Sequence, residues 1–337
     1  MSLFGNLETS ISAITNVSIL APGKLTFYSY LMSGKSFTLP SFAKINWFLR
    51  VLGKRDDNFH ELCTVFQTVS LADYLTFSEQ TELILTCNDK KIPTDEGNLI
   101  VKAVFALREK LGVKKGAKIH LEKNIPAPGG LGGGSSNAAI ALLGLVKLWK
   151  IEIGFDELLK IGKTLGSDVP FFFYGGTALG TGSGTEISPL PDFEEKHLLI
   201  VTPNVAVSTA KAFAALNAAH LTNKGSKSIL PICRDFADSL DLRRLSLIND
   251  FEATVFKLEP EIEFIKKKLL DYGGKRALLS GSGASVFAIF DSESSRQNAF
   301  EQIKSEKEWR VFSVRTISRS LYASSLKVGE DLLLKDF

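Results

Sequence analysis

A run of glycines at positions 129–134 is the part of this sequence best suited to chemistry. Five of its six residues are glycine, and Ser135, Ser136 and an apolar, helix-like segment follow directly. Glycine lets a backbone approach a ligand closely, and the N–H groups at a helix start favour an anion. The pattern predicts a loop that holds the phosphates of a nucleotide. The alternative is a flexible turn that ends in a serine helix cap.

This loop differs from the two commonest nucleotide-binding patterns. No Lys-Ser or Lys-Thr pair follows Gly134, so the loop is not a P-loop. The loop is also not the dinucleotide-binding GxGxxG motif, which opens a strand-turn-helix unit and is followed by an acidic residue about twenty positions later. The sequence therefore indicates another class of phosphate-binding protein.

Asp168 is the candidate catalytic base. It lies beside the apolar stretch 169–173, so its carboxylate is expected to be buried, which is costly without a partner. Lys44 lies in the strand-like run 37–49 and is a candidate partner that would help to orient a substrate hydroxyl. The alternatives are a helix cap or a structural hydrogen bond for Asp168 and a solvated charge for Lys44.

Composition disfavours several other function classes. The 337 residues are 45% hydrophobic, enough for two buried cores, and the net charge of +3 is too balanced to indicate nucleic acid or an acidic membrane as a partner. Three dispersed cysteines without a CxxC pair favour a reducing cytoplasm, and four scattered histidines do not indicate a metal site. We expect a cytoplasmic monomer or homodimer whose partner is a small molecule.

Three separated segments resemble the motifs of the GHMP kinase family. Residues 41–46 are similar to its first motif, and residues 126–136 to its Pro-x-x-x-Gly-Leu-Gly-x-x-Ser-Ser loop. Residues 279–285 are similar to its third motif, a glycine turn that closes over the nucleotide site. Lys24 lies in an Ala-Pro-Gly-Lys run that also looks like a first motif, but only Lys44 has the family's following histidine and the usual distance to the glycine loop.

Within the family, the chain resembles the branch whose alcohol substrate carries a cytidine diphosphate group. The resemblance rests on four segments, residues 43–62, 97–100, 165–172 and 249–252. Two departures are Pro128, where the family's loop usually has glycine, and Phe59, where tyrosine is commoner. The first would stiffen the loop entrance, and the second keeps a ring for stacking but loses a hydroxyl.

The resemblance implies an ATP-dependent kinase with Lys44 and Asp168 as its catalytic residues. The residues implied to bind ATP are Pro126, Gly129, Gly130, Leu131, Gly132, Gly133, Gly134, Ser135, Ser136, Asn98 and Leu99. The residues implied to bind the substrate are Asn46, Phe59, His60, Thr209, Phe213, Gly281, Ser282 and Gly283. Mg²⁺ is expected to accompany ATP, but the sequence assigns no protein ligand to it.

The same resemblance implies that Phe59 and Phe213 sandwich a cytosine while His60 hydrogen-bonds its edge. The structural alternatives are a core position for Phe213, a packed loop position for His60, a helix cap for Asn98 and a tight turn at 281–283. The functional alternatives are a GHMP kinase for homoserine or mevalonate, and a ligand-binding regulator of the same fold without catalysis.

Hydrophobic patterns predict the α+β elements that must position these residues. The patterns favour strands at 65–77, 83–87, 198–202, 277–279 and 286–291, and helices at 99–111, 137–149, 209–216, 247–256 and 261–272. The resemblance implies a ribosomal-protein-S5-domain-2-like N-terminal domain and a ferredoxin-like C-terminal domain, with the active site in the cleft between them. We expect an extension at 1–32, an ATP-binding domain at 33–190 and a substrate domain at 191–337, because 189–195 looks like a linker.

Overall fold

The computed structural model describes residues 36–216, 247–306 and 309–326. All of them belong to one compact unit, Met32–Phe337. The predicted extension at residues 1–32, which includes Lys24, lies outside the described residues.

Two long antiparallel strands, β1 (Ser36–Lys54) and β2 (His60–Ser78), form the backbone of the first sheet. Both are rich in the β-branched and aromatic residues that favour strands. Three shifts in register interrupt their pairing, and one of them falls between Asn46 and Phe48. Such bulges bend a strand and redirect its side chains, here close to Lys44.

The first sheet has seven strands in the order β3-β4-β2-β1-β8, with β5 pairing with β2 and β6 with β5. The added strands are β3 (Leu83–Cys87), β4 (Ala117–Glu122), β5 (Thr177–Thr181), β6 (Glu186–Pro189) and β8 (Ile248–Asn249). The last of these runs parallel to β1, where Leu49 faces Asn249. Residues 247–256 were predicted as one helix, which is wrong at its start because pairing with β1 holds residues 248–249 extended.

The helices of the first half pack around one central helix. They are α1 (Leu99–Leu111), α2 (Gly133–Trp149), α3 (Phe155–Leu165) and α4 (Phe171–Tyr174). Every residue of α2 from Ser136 to Val146 is buried, so this helix lies inside the core, as its uniformly apolar sequence predicts. The last described helix, α9 (Arg319–Leu326), adds Tyr322 and Leu326 to the same core.

The second sheet is antiparallel, in the order β11-β7-β10-β9. Its strands are β7 (Leu198–Thr202), β9 (Arg276–Leu279), β10 (Val286–Ile289) and β11 (Arg310–Val314). The accompanying helices are α5 (Thr209–Ala215), α6 (Glu252–Leu258), α7 (Pro260–Asp271) and α8 (Glu293–Glu306). The two sheets with their helices confirm the predicted mixed α and β class.

The predicted division at residue 190 coincides with the change from one sheet to the other. Two elements from the second half nevertheless join the first, since β8 pairs with β1 and α9 packs into the first core. The domain boundary therefore stays a prediction. None of the helices in the described ranges combines the length and apolar character needed to cross a membrane.

Candidate active site

One cavity of about 900 Å³ gathers most of the predicted site residues from both halves of the chain. Those on its lining are Lys44, Phe59, His60, Leu99, Pro126, Gly129, Gly130, Leu131, Gly132, Gly133, Gly134, Ser135, Asp168, Thr209, Phe213, Gly281, Ser282 and Gly283. Three other predicted residues, Asn46, Asn98 and Ser136, lie outside this lining. The volume is in the range of pockets that hold small-molecule ligands.

Lys44 and Asp168 form an ion pair in this cavity, as the sequence predicts. The Lys44 Nζ lies 3.3 Å from the Asp168 Oδ2, and the lysine side chain is 4% exposed while the aspartate is 32% exposed. The same ammonium donates a hydrogen bond to the Asn46 Oδ1 at 2.9 Å. The buried lysine is therefore held by two partners. The prediction that the Asp168 carboxylate is buried is wrong, because its place on the cavity lining leaves it partly exposed.

The glycine loop holds Lys44 directly. The backbone N–H of Lys44 donates to the Leu131 carbonyl at 2.9 Å. Gly132 has a φ of 69°, and a Cβ there would lie 2.9 Å from the Phe172 Cζ and 3.0 Å from the Lys44 Cγ. Only glycine fits this position without displacing the lysine stem.

Asn46 connects the catalytic lysine to strand β2. Its Nδ2 donates to the Thr64 Oγ1 at 2.7 Å, and the Thr64 hydroxyl donates to the Phe48 carbonyl at 2.7 Å. Asn46 is buried behind the cavity wall, and both ends of its amide are engaged by protein. Its predicted contact with substrate stays a prediction, and the observed contacts assign it to holding Lys44.

Helix α2 starts inside the glycine loop, four residues before the predicted start at 137. Its N-cap is Gly132, and within the described residues no side chain caps its first N–H groups. Uncapped N–H groups at a helix start are suited to an anion such as phosphate. Ser135 faces the cavity, whereas the buried Ser136 hydroxyl accepts a hydrogen bond from the Ser41 Oγ at 2.8 Å.

The glycine turn at 280–284 packs directly on this loop. The Ser280 Oγ donates to the Gly130 carbonyl at 3.0 Å, and the Ser285 N–H donates to the Gly129 carbonyl at 3.1 Å. A Cβ at Gly130 would lie 2.1 Å from the Ser280 carbonyl oxygen. The second and third predicted motifs therefore form one surface, although 150 residues separate them.

An aromatic cluster also lines the cavity. The His60 and Phe213 rings stack with centroids 4.5 Å apart and an angle of 17° between them, and Phe251 meets the Phe213 ring edge-on at 4.8 Å. Phe59 lies at the rim and is 59% exposed. The imidazole thus covers one face of the Phe213 ring, and the predicted Phe59–Phe213 sandwich stays a prediction.

The surroundings of the His60 ring favour its neutral form. Burial lowers the pKa of His60 below its ordinary value of 6.5, and the positive charge of Lys54 lowers it further. A neutral imidazole has one donor and one acceptor nitrogen, which suits the mixed edge of a nucleobase. Nearby, the hydroxyls of Thr209 and Ser282 are 2.9 Å apart and tie helix α5 to the glycine turn.

Comparison with known proteins decides the family. Residues 98–176 match the description "GHMP kinases N terminal domain", and residues 232–308 match "GHMP kinases C terminal". A 4-diphosphocytidyl-2-C-methyl-D-erythritol kinase of Protochlamydia amoebophila is 39% identical, over 79% of this chain and 88% of its own length. One of Syntrophus aciditrophicus is 40% identical, over 82% of this chain and 97% of its own. The chain belongs to the 4-diphosphocytidyl-2-C-methyl-D-erythritol kinase family of GHMP kinases.

Solved structures agree with membership of this kinase family. A crystal structure of a 4-(cytidine 5'-diphospho)-2C-methyl-D-erythritol kinase matches with a TM-score of 0.69 at 29% identity, covering 84% of this chain and all of the other. The homoserine kinase of Cytophaga hutchinsonii matches with a TM-score of 0.64 at 21% identity, covering 86% of this chain and 97% of the other. The second likeness shows the fold alone.

A buried ion pair behind the kinase's glycine loop was not predicted from the sequence. The fully buried Asp73 accepts hydrogen bonds from the Lys123 Nζ at 2.8 Å and from the N–H groups of Asn124 and Ile125, both at 2.7 Å. Lys123 also donates to the Ile125 carbonyl. Burial lowers the pKa of Lys123, although its charge interaction and hydrogen bond with Asp73 oppose that shift. The pair fixes the segment that enters the loop.

Other residues of the kinase site were also missed or have a second role. Asn98 caps helix α1, because its Oδ1 accepts from the Ile100 N–H at 2.9 Å, so its predicted contact with adenine stays a prediction. Ser167 and Ser183 line the cavity without having been predicted. Ser167 precedes the predicted base, and Ser183 lies in a Gly-Ser-Gly turn; both signals were present in the sequence.

Proposed function

We propose that this protein transfers the γ-phosphoryl group of ATP to the 2-hydroxyl of 4-diphosphocytidyl-2-C-methyl-D-erythritol. The products are ADP and the 2-phosphate, and the step belongs to the non-mevalonate (MEP) route to isoprenoid precursors. The observation that carries this proposal is the ion pair of Lys44 and Asp168, which lines the same cavity as a phosphate-type glycine loop and an aromatic cluster. The identity of the proposed substrate comes from the name of the related kinases.

Asp168 is proposed to accept the proton of the 2-hydroxyl. As the hydroxyl oxygen forms its bond to the γ-phosphorus, the bond from that phosphorus to the β,γ-bridging oxygen breaks, and the proton passes to the Asp168 carboxylate. The Asp168 side chain is 32% exposed and lines the cavity, and its Oδ2 lies 3.3 Å from the Lys44 Nζ. That contact orients the carboxylate toward the acceptor.

Lys44 is proposed to place a fixed positive charge beside the transferred group. Its ammonium touches Asp168 and Asn46, and a Cβ at Gly281 would lie 3.2 Å from it, so the lysine reaches the glycine turn as well. A preorganised charge that needs no rearrangement during the reaction stabilises charge that develops in the transition state.

ATP is proposed to bind with its phosphates on residues 129–135 and its adenine toward Leu99 and Pro126, which line the same cavity. The described residues contain no group of three His, Cys, Asp or Glu side chains that would hold a metal by themselves. Mg²⁺ commonly binds through one or two protein oxygens and the substrate phosphates, and the Ser135 hydroxyl on the cavity lining is an oxygen of that kind. When bound, Mg²⁺ neutralises charge on the phosphates.

The cytosine of the substrate is proposed to stack on Phe213 where the His60 imidazole now lies. The exposed Phe59 at the rim would cover the other face of the base, and His60 would move to its edge. Stacking on aromatic rings suits any base, whereas an edge hydrogen bond distinguishes cytosine from uracil. Thr209 would lie beside the same base.

A substrate panel tests this function. ADP release is measured with 4-diphosphocytidyl-2-C-methyl-D-erythritol, the same alcohol without its cytidine group, the uridine analogue, homoserine and mevalonate. We expect turnover with the first compound and little with the others. Equal turnover of the alcohol without cytidine contradicts the nucleobase site, and preference for homoserine or mevalonate contradicts the proposed substrate.

We also propose a cytoplasmic enzyme that works as a monomer or homodimer on its small-molecule substrate, with neither nucleic acid nor a membrane as a partner. The nearly balanced charge of the chain and its three dispersed cysteines, which include no CxxC pair, support this part of the proposal.

A further inference from the structure

Residues 249–252, which read Asn-Asp-Phe-Glu, connect several parts of the site although the proposed chemistry uses none of them. The Asp250 carboxylate accepts from the Val51 N–H at 2.9 Å and pairs with Arg50, both on β1. The Glu252 carboxylate accepts from the Leu279 N–H at 3.0 Å. This segment therefore joins the strand that carries Lys44 to the strand that enters the glycine turn.

Asn249 makes the contacts closest to the chemistry. Its Nδ2 donates to the Leu279 and Gly281 carbonyls, each at 2.8 Å, and its Oδ1 accepts from the Phe251 N–H at 3.0 Å. The side chain is buried, and both amide hydrogens are used. The amide thus bridges the two carbonyls that flank Ser280 at the start of the turn.

Gly281 lies where two functional parts meet. A Cβ on this residue would lie 3.1 Å from the Gly130 carbonyl oxygen and 3.2 Å from the Lys44 Nζ. Its φ of 57° is in the left-handed region, so the turn has a specific conformation that other contacts must maintain. The hydrogen bond from Asn249 to the Gly281 carbonyl is one such contact.

The other end of the amide reaches the nucleobase side. Because the Asn249 Oδ1 fixes the Phe251 N–H, it also fixes the ring that meets Phe213 edge-on. The Asn249 side chain thereby holds the glycine turn through its amide nitrogen and the backbone of Phe251 through its amide oxygen.

We propose that Asn249 is a positioning residue for phosphoryl transfer: its amide N–H groups hold the glycine turn against the phosphate loop and Lys44, and its amide oxygen holds Phe251 behind Phe213. The inference rests on the proposed function and adds a residue that touches neither substrate. It predicts that the two ends of the amide affect different substrates.

Asn249→Ser separates the two ends. A serine hydroxyl can still accept from the N–H two residues later, but it is too short to reach both carbonyls. We expect kcat/KM for ATP to fall about 10- to 100-fold, because a small displacement of positioning groups is costly, while KM for the cytidine substrate stays within about threefold. Asn249→Asp keeps the side-chain size and the oxygen that accepts from Phe251, but an oxygen replaces the NH₂ group that donates to the two carbonyls. We expect a larger fall in kcat/KM for ATP with this variant.

Asn298 supplies matched controls, since it is exposed on α8 and does not line the cavity. Asn298→Ser and Asn298→Asp make the same chemical changes and should leave both substrates unaffected. A purely structural role predicts lower melting temperatures for the Asn249 variants with unchanged kinetics below those temperatures. Folded Asn249→Ser with wild-type kcat and KM for ATP overturns the inference.

A measurement on the unmodified protein covers the case in which the variants do not fold. The side-chain amide hydrogens of Asn249 should exchange with solvent at least about 100-fold more slowly than those of the exposed Asn58. A non-hydrolysable ATP analogue should slow them further, and exchange at the Asn58 rate in both states overturns the inference. Inactive wild-type protein contradicts the proposed function, whereas active wild-type protein with an unchanged Asn249→Ser variant contradicts only the role of Asn249.

Discussion

Replacing Gly130 by alanine tests how closely the phosphate loop and the glycine turn must fit. Gly130 has a φ of 70°, and an added Cβ would lie 2.1 Å from the Ser280 carbonyl oxygen and 2.9 Å from the Gly283 carbonyl oxygen. Non-bonded atoms in contact are about 3.5 Å apart, so one of the two segments must move by at least about 1 Å. Both obstacles are backbone atoms, which cannot rotate away.

Two separate effects follow from Gly130→Ala. A displacement of about 1 Å in positioning groups is expected to lower kcat/KM for ATP by roughly 100-fold. Alanine is also strained in the left-handed backbone conformation of residue 130. This strain lowers the free energy of unfolding by about 1 kcal/mol, independently of the clash. Initial rates at varied ATP concentration measure the first effect, and urea unfolding measures the second.

Gly112→Ala is the matched control. Gly112 ends helix α1 at a φ of 64°, and no described heavy atom beyond its chain neighbours lies within 4 Å of its added Cβ. The control should lose about the same 1 kcal/mol for its backbone and keep wild-type kinetics. If Gly130→Ala keeps kcat/KM for ATP within about threefold of Gly112→Ala, the close fit of the two loops is not needed for ATP use.

Three further predictions concern other parts of the site. Asp168→Asn should lower kcat about 100-fold or more while ADP affinity, measured by calorimetry, stays nearly unchanged, because the variant lacks the base but keeps the phosphate loop; retained turnover removes Asp168 from the mechanism. Phe213→Ala should weaken binding of the cytidine substrate by about 1 to 3 kcal/mol, measured as a rise in its KM. It should also raise the pKa of His60 toward 6.5 in an NMR titration, because the ring loses part of its cover; an unmoved pKa means that burial by Phe213 is not the cause. Asp73→Asn should cost about 3 to 5 kcal/mol in urea unfolding, because it leaves the Lys123 charge buried with a weaker partner; a loss below about 1 kcal/mol contradicts the importance of that pair.

Local patterns predicted many elements to within a residue or two. The bounds of α1, β3 and β7 are those of the predicted helix at 99–111 and the predicted strands at 83–87 and 198–202. Long-range contacts explain two of the differences. Gly133 at the start of α2 has low helix propensity, yet it packs against Ile125 within the helix, and pairing with β1 makes residues 248–249 a strand.

Site residues that lie in a recognisable motif could be predicted from the sequence. Contacts between residues outside the motifs could not, because they depend on how distant strands and helices pack. Lys44 and Asp168 are 124 positions apart, but each lies in a segment that resembles a family motif, and the structure pairs them. Asp73 and Lys123 lie outside those motifs, and their pairing depends on the register of β2 with β4. The His60–Phe213 stack likewise requires helix α5 to lie beside the start of β2.

The position of the phosphate in the product tests the central claim most directly. The wild-type protein and Asp168→Asn are incubated with ATP, Mg²⁺ and 4-diphosphocytidyl-2-C-methyl-D-erythritol, and the products are followed by ³¹P NMR. We expect the wild type to give one ADP for each new phosphomonoester on the 2-hydroxyl, and Asp168→Asn to form both about 100-fold or more slowly. A phosphate on another hydroxyl, ADP without a new phosphomonoester, or an equally active variant would contradict the central claim.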